Sequence, residues 1–245
     1  MGDSFIIGGS HVCNHCLEYS PETCIEIWIT KDSERKLDPK ILATIETLGV
    51  PTHRVSRSTI TKIYGLDAHN GILVRRNPPK FRTLASFIDS MENLEDALFL
   101  VLDRIQDPRN FGACLRVAEC AGVTAVIFPN NNSASFGSTL AKASSGAIDN
   151  VPLIRVSNIC QALNTLKNLG VWIFGADSTV NNSVYNMDLS CSMALVVGNE
   201  GDGLKQLTQR SCDQLVSLPM GGSISSLNVA TATGIILFEA NRQRI

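Results

Sequence analysis

Two apolar runs, residues 193–197 (MALVV) and 215–218 (LVSL), each stop at a glycine-rich loop, GNEGDG after the first and PMGG after the second. A short apolar run bounded by glycines reads as a buried strand, and a strand that empties into such a loop opens onto a binding crevice. Two exits this close in sequence imply one ligand held by backbone from both. The second loop leads into a helix of small and β-branched residues, opened by Ser226, Leu227 and Asn228, with Ser226 expected as its N-cap. The rest of the chain must therefore supply the sheet to which these two strands belong.

That sheet is legible upstream. Apolar runs at 97–102, 123–128, 152–156 and 171–174 alternate with helical stretches at 110–121, 138–145 and 157–169, the last with Ser157 as cap and Gly170 as stop. Alternation of this kind predicts an α/β fold with a mostly parallel sheet. Residues 1–75 form a smaller α/β unit, with runs at 24–29, 50–55 and 71–74 between helices at 9–19, 39–48 and 58–64, and its sheet is also expected to be mostly parallel. Between them lies RRNPPKFR, residues 75–82, whose Pro pair marks a connector. Its four basic residues suit either a phosphate contact or an ordinary solvated link. The expected division is a domain at 1–75, a linker at 76–95 and a second domain at 96–245.

Composition narrows the function. A net charge of −2 excludes a blanket polyanion binder, so any nucleic-acid contact must come from local clusters. No apolar run reaches membrane-spanning length and no secretory signal is seen, so the expected location is cytoplasmic. Met1-Gly2 fails as a myristoylation signal because Ile6 stands where Ser or Thr is required. Eight cysteines then read as reduced thiols. Cys13-x-x-Cys16 lacks a second ligand pair, so it is read as two small buried side chains one helical turn apart, and no metal is expected.

Three constellations carry chemistry. In LDRIQDPRNFGACLR a strand ends at Asp103 and a helix opens near Asn110. Arg109, Gly112 and Arg116 are spaced to share a face. Arg116 would lean back across Gly112 toward the free N–H groups of the first turn, a site suited to phosphate; the alternative is a surface bridge from Arg116 to Glu119 or Asp107. The loop Gly198-Asn-Glu-Gly-Asp-Gly203 matches neither the dinucleotide fingerprint nor a P-loop, and Glu200 is its carboxylate nearest the strand exit. The third is residues 218–232. No His follows His69, so a Ser-His or Cys-His nucleophile pair in the second domain is excluded.

In these three stretches the sequence resembles the SpoU/TrmH family of RNA ribose 2′-O-methyltransferases, in the SPOUT superfamily. The motifs are Asp107-Pro-x-Asn110-x-Gly112…Arg116, Gly198-x-Glu200-Gly201-x-Gly203, and Pro219-Met-x-Gly222…Ser226-Leu227-Asn228-Val229. Gly9-x-His11, His69-Asn-Gly71 and the closing Phe238-Glu-Ala-Asn-Arg-Gln-Arg244 are similar to the RlmB-like subgroup that acts on 23S ribosomal RNA. The resemblance implies a trefoil-knotted methyltransferase domain behind a small L30e/L7Ae-like RNA-binding domain. It also implies S-adenosylmethionine as cofactor, a homodimer, and methyl transfer to a guanosine 2′-OH of 23S rRNA. It assigns catalysis to Arg116, Asn110, Glu200, Ser226 and Asn228, and cofactor contacts to the backbone of Gly198, Leu218 and Leu227. The same chemistry on a tRNA loop guanosine, and a ribosome-associated RNA-binding protein without catalysis, are the competing readings.

Overall fold

The structure is a computed structural model and describes residues 4–245; the Met1-Gly2 start lies outside the described residues. Contacts divide the chain into two compact units, Met1–Lys80 with Ser135–Asn150, and Phe81–Ala134 with Val151–Ile245.

The first unit opens with β1 (Phe5–Gly8), α1 (Ser10–Tyr19), β2 (Cys24–Ile29), α2 (Lys31–Glu34), α3 (Pro39–Leu48), β3 (Thr52–Arg54), α4 (Arg57–Tyr64) and β4 (Ile72–Arg76). Helix α3 has the expected punctuation: Asp38 accepts from the Lys40 N–H, Pro39 takes the first turn, and Gly49 closes in the left-handed region at φ 62. The side chains of Cys13 and Cys16 are fully buried, one turn apart on α1 beside Val12 and Leu17. Ser56 caps α4, through the Thr59 N–H.

The strand order is β1-β4-β2-β3. β4 runs antiparallel to both β1 and β2, and only β2–β3 is parallel. The expectation of a mostly parallel sheet in this unit is corrected: strand–helix alternation sets the layers, but the chain enters β4 through the tight His69-Asn70-Gly71 turn, which reverses it, and the short β1 escaped the apolar pattern. Buried His69 holds that turn, accepting the Gly71 N–H at Nδ1. Gly71 is required there, at φ +76, because a Cβ would lie 2.2 Å from Ser33 Oγ.

The basic connector is also corrected. Arg75 and Arg76 belong to β4, not to a linker. Arg76 is fully buried and grips Asp149 with two bonds of 2.8 and 2.6 Å, so it offers nothing to a phosphate. Arg75 pairs with Glu26 and lies over Trp28. Asp149 is the reason a later segment joins this unit: α7 (Ser138–Ser144) and α8 (Ala147–Asn150) bring the carboxylate that Arg76 requires.

The second unit contains α5 (Leu84–Ile88), β5 (Leu98–Asp103), α6 (Pro108–Cys120), β6 (Ala125–Pro129), β7 (Leu153–Val156), α9 (Ile159–Asn168), β8 (Trp172–Ala176), β9 (Met193–Gly198), α10 (Gln206–Ser211), β10 (Gln214–Val216) and α11 (Val229–Arg244). Its six strands run β10-β8-β9-β5-β6-β7, every pair parallel. This is the mostly parallel sheet expected of the second domain. Phe99, Val101, Ile127, Val196 and Leu163 fill its core, each such side chain contributing about 1.5–3 kcal/mol by leaving water. β5 lies between β6 and β9, so the winding reverses at β5 and the carboxyl ends of β9, β8 and β10 share one edge. Ligand crevices form at such reversals. Asn158 rather than Ser157 caps α9, its Oδ1 taking the Gln161 N–H.

Candidate active site

The C-terminal ends of β8, β9 and β10 enclose a cavity of about 420 Å³, within the size range of small-molecule sites. The two glycine-rich loops supply much of its lining. Gly198 ends β9, and the loop after it folds back so closely that a Cβ there would lie 2.3 Å from the carbonyl of Gly203. No other residue fits. The fold-back is tied by the Gly203 N–H to the Asn199 carbonyl, 2.8 Å, and by the Gly201 N–H to Asn199 Oδ1, 3.0 Å.

Arg104 braces this loop from behind. Its Nη2 donates to the Gly203 carbonyl at 3.1 Å, and its Nη1 lies 3.8 Å from Asp202. Arg104 stands at φ 64, an uncommon conformation for a residue with a side chain, and its buried Nε has no hydrogen-bond partner among the described residues. Beside it, buried Asp103 accepts from Thr208 Oγ1 at 3.0 Å and anchors the start of α10.

The three sequence motifs meet at one carboxylate oxygen. Glu200 Oε1 accepts from Asn110 Nδ2 at 2.6 Å and from Asn228 Nδ2 at 2.8 Å, and Asn228 Nδ2 also donates to Asn110 Oδ1 at 2.9 Å. Local structure fixes each member. Asn110 sits in the first turn of α6, which Asp107 caps through the Arg109 N–H. Asn228, not Ser226, is the N-cap of α11, its Oδ1 taking the N–H groups of Ala230 and Thr231. The expected cap is displaced because the chain stays extended through Leu227, leaving Ser226 on the cavity wall.

Glu200, Gly198, Leu218, Ser226 and Leu227 all line the cavity, while Asn110 and Asn228 reach it through Glu200. Arg116 stands apart. It is exposed on α6 and makes no hydrogen bond or ion pair with any described residue, so the surface bridge to Glu119 or Asp107 is not formed. Gly112 is buried while Arg109 and Arg116 are exposed, so the three mark the margin of the helix rather than one open face.

A third loop went unread in the sequence. Asp177, Ser178 and Thr179 follow β8 and join the wall with Gln209 and Met220. Asp177 is oriented from two sides, by the Thr179 N–H and hydroxyl at 2.8 and 2.6 Å and by Gln209 Nε2 at 3.1 Å. The signal was present, since the run 171–174 ends at Gly175 as the other strands end at their glycines. Asp177, Glu200 and Asp202 put three carboxylates on the wall, and no Lys, Arg or His among the described residues lines it. Such a cavity favours a ligand carrying positive charge.

The sequence profile of the SpoU rRNA Methylase family matches residues 97–238, and that of an RNA 2'-O ribose methyltransferase substrate binding family matches residues 6–82. The chain belongs to the SpoU rRNA methylase family. It is 40% identical over 240 residues, 98% of each chain, to the 23S rRNA (guanosine-2'-O-)-methyltransferase RlmB of Haemophilus influenzae, and 39% identical over 241 residues to that of Escherichia coli K12, covering 98% of this chain and 99% of the relative. In fold it is similar to the AdoMet-bound rRNA methyltransferase from Sinorhizobium meliloti, with TM-score 0.81, 24% identity, and 99% and 88% of the two chains covered. It is likewise similar to the AdoMet complex of AviRb from Streptomyces viridochromogenes, with TM-score 0.79, 22% identity, and 98% and 90% covered.

Proposed function

We propose that this protein transfers a methyl group from S-adenosylmethionine to the ribose 2′-OH of a guanosine in 23S ribosomal RNA. One observation carries the site assignment: three motifs far apart in sequence converge on Glu200 Oε1 at the mouth of an anionic, glycine-built cavity. The substrate assignment follows the full-length relatives named for that reaction.

The cavity suits the cofactor. Backbone around Gly198, Leu218 and Leu227 would hold it, and the carboxylates of Asp177, Glu200 and Asp202 suit its positive charge. When bound, it supplies an electrophilic methyl group.

The chain's own residues then have two tasks: to align the ribose hydroxyl, and to stabilise the charge that grows on its oxygen. Alignment alone can lower the barrier by several kcal/mol. Asn110 and Asn228 are held rigid by Glu200, and Ser226 stands on the same wall, so these groups orient the ribose. Arg116 is a cation left unengaged on α6. A guanidinium stays protonated in proteins, so it serves as a fixed positive charge and not as a base. It grips a substrate phosphate and stabilises the developing alkoxide. The proton passes to solvent or to that phosphate.

This reading carries finer parts. The N-terminal residues, 1–75 in the sequence division, hold the RNA; residues 96–245 hold the cofactor within the family's trefoil knot. The protein acts in the cytoplasm as a homodimer that includes the α11 face, where Phe238 is exposed. The test is to incubate the protein with S-adenosylmethionine and either 23S rRNA or tRNA, then quantify 2′-O-methylguanosine by mass spectrometry of the nucleosides. Product in 23S rRNA alone is expected. Product in tRNA alone, or none together with no cofactor binding by calorimetry, would overturn the reading.

A further inference from the structure

The first unit carries a cavity of its own, about 670 Å³, at the opposite electrical sign. Its charged lining residues are Lys31, Lys36, Arg57 and a single acid, Asp32. None of the three cations makes a hydrogen bond or ion pair through its side chain with a described residue. Three arginines of the unit are engaged elsewhere: Arg54 holds Glu34, Arg75 holds Glu26 and Arg76 holds Asp149. Three unpaired cations facing one concave surface repel one another, and an anion removes that repulsion.

The backbone adds to this. Ser10, the first residue of α1, lines the same cavity, and α1 begins at Gly9 with no side-chain cap. Its first N–H groups thus carry their partial positive charge toward the groove. The walls are stiff. Thr30 Oγ1 donates to Ser33 Oγ, which donates to the Asn70 carbonyl at 2.9 Å, tying the start of α2 to the turn before β4. The groove therefore exists before any ligand arrives.

The lining includes no Phe, Tyr, Trp or His. Unstacked bases are held on aromatic faces, and this groove has none to offer. We infer that the groove of Lys31, Lys36 and Arg57 grips the phosphodiester backbone of folded, helical RNA and contributes affinity without reading sequence. The inference rests on the RNA reading above and deepens it by placing a contact surface in the first unit.

The experiment measures binding of a fluorescently labelled ribosomal RNA stem-loop by anisotropy between 50 and 200 mM salt, for the full chain and for a Lys31→Ala/Lys36→Ala/Arg57→Ala variant. Loss of three phosphate contacts should weaken binding at least about tenfold at low salt and flatten the log Kd against log salt plot by about 2–3, near 0.9 per contact on a duplex. The loss should fall on KM for RNA. A Lys31→Arg/Lys36→Arg/Arg57→Lys variant should keep the slope, and Lys62→Ala, on α4 but outside the lining, should keep both affinity and slope. An unchanged slope in the triple alanine variant would overturn the inference, as would equal loss in the charge-preserving variant. Failure of the unmodified protein to bind or methylate ribosomal RNA would instead overturn the functional reading itself.

Discussion

The two units each carry a pre-formed cavity, and the cavities differ in sign. In the second unit three carboxylates and, among the described residues, no cation line the wall; in the first, three cations outnumber one acid. Both are built from loops at the ends of strands, so similar architecture holds opposite charges. The net charge of −2 conceals this. A protein that must hold a cationic methyl donor and a polyanionic substrate does better to separate the two fields than to average them. Arg116 belongs to neither lining.

The division breaks most plainly through the ion pair inside the first unit. Asp149→Ala would leave Arg76 buried and unpaired, at a cost of about 3–5 kcal/mol. Thermal denaturation should show a destabilised protein whose folded fraction, measured calorimetrically, still binds S-adenosylmethionine normally. Cofactor affinity lost in step with stability would mean that the units do not act separately.

Glu200→Gln tests the other side. Its amide oxygen can still accept from both Asn110 and Asn228 but loses the charge that strengthens the two bonds, and methyl transfer should fall roughly 10–100-fold. RNA affinity by anisotropy should stay within a few fold. A matching loss of RNA binding would erase the contrast between the cavities.

Arg104→Gly sharpens it. Glycine accepts φ 64 without strain, but the change removes the cation 3.7 Å from buried Asp103, so thermal stability should fall modestly, while the loop loses its brace and cofactor Kd should rise a few fold by calorimetry. Lower stability with unchanged cofactor affinity would make Arg104 a purely structural residue.

The smallest effect concerns thiols. Burial pushes Cys16 up to about 11, and Cys24 and Cys114 up to about 12. The reactive thiolate is therefore scarce at neutral pH and appears only as pH rises toward those values. Timed alkylation with peptide mapping should label exposed Cys120 first and these three, with buried Cys13, last. Early labelling of Cys16 or Cys24 would show that the first unit opens readily.

Much of the second unit was legible because its information is local. Buried parallel strands such as Leu98–Asp103 are continuous apolar runs, and their exits are marked by glycines that backbone contact enforces, as at Gly198. Asn110, Glu200 and Asn228 were singled out one by one, but their meeting at a single oxygen needs tertiary structure. The first unit was harder. Arg76 reads as a linker charge until Asp149, 73 residues on, supplies its partner. The direction of β4 depends on a turn, which strand–helix alternation does not encode. Asp177 follows a strand exit marked by a single glycine, Gly175, a weaker local signal than the glycine-rich loops at the other two exits. Lys31, Lys36 and Arg57 are scattered in sequence and become a cluster only in the fold.

The most direct test is single-turnover methyl transfer to 23S rRNA by Arg116→Ala, with RNA and S-adenosylmethionine both saturating. The account predicts a rate lowered roughly 10²–10³-fold or more, with cofactor affinity by calorimetry within a few fold of the unmodified protein. An unchanged rate, or loss of cofactor binding in place of loss of rate, would contradict it.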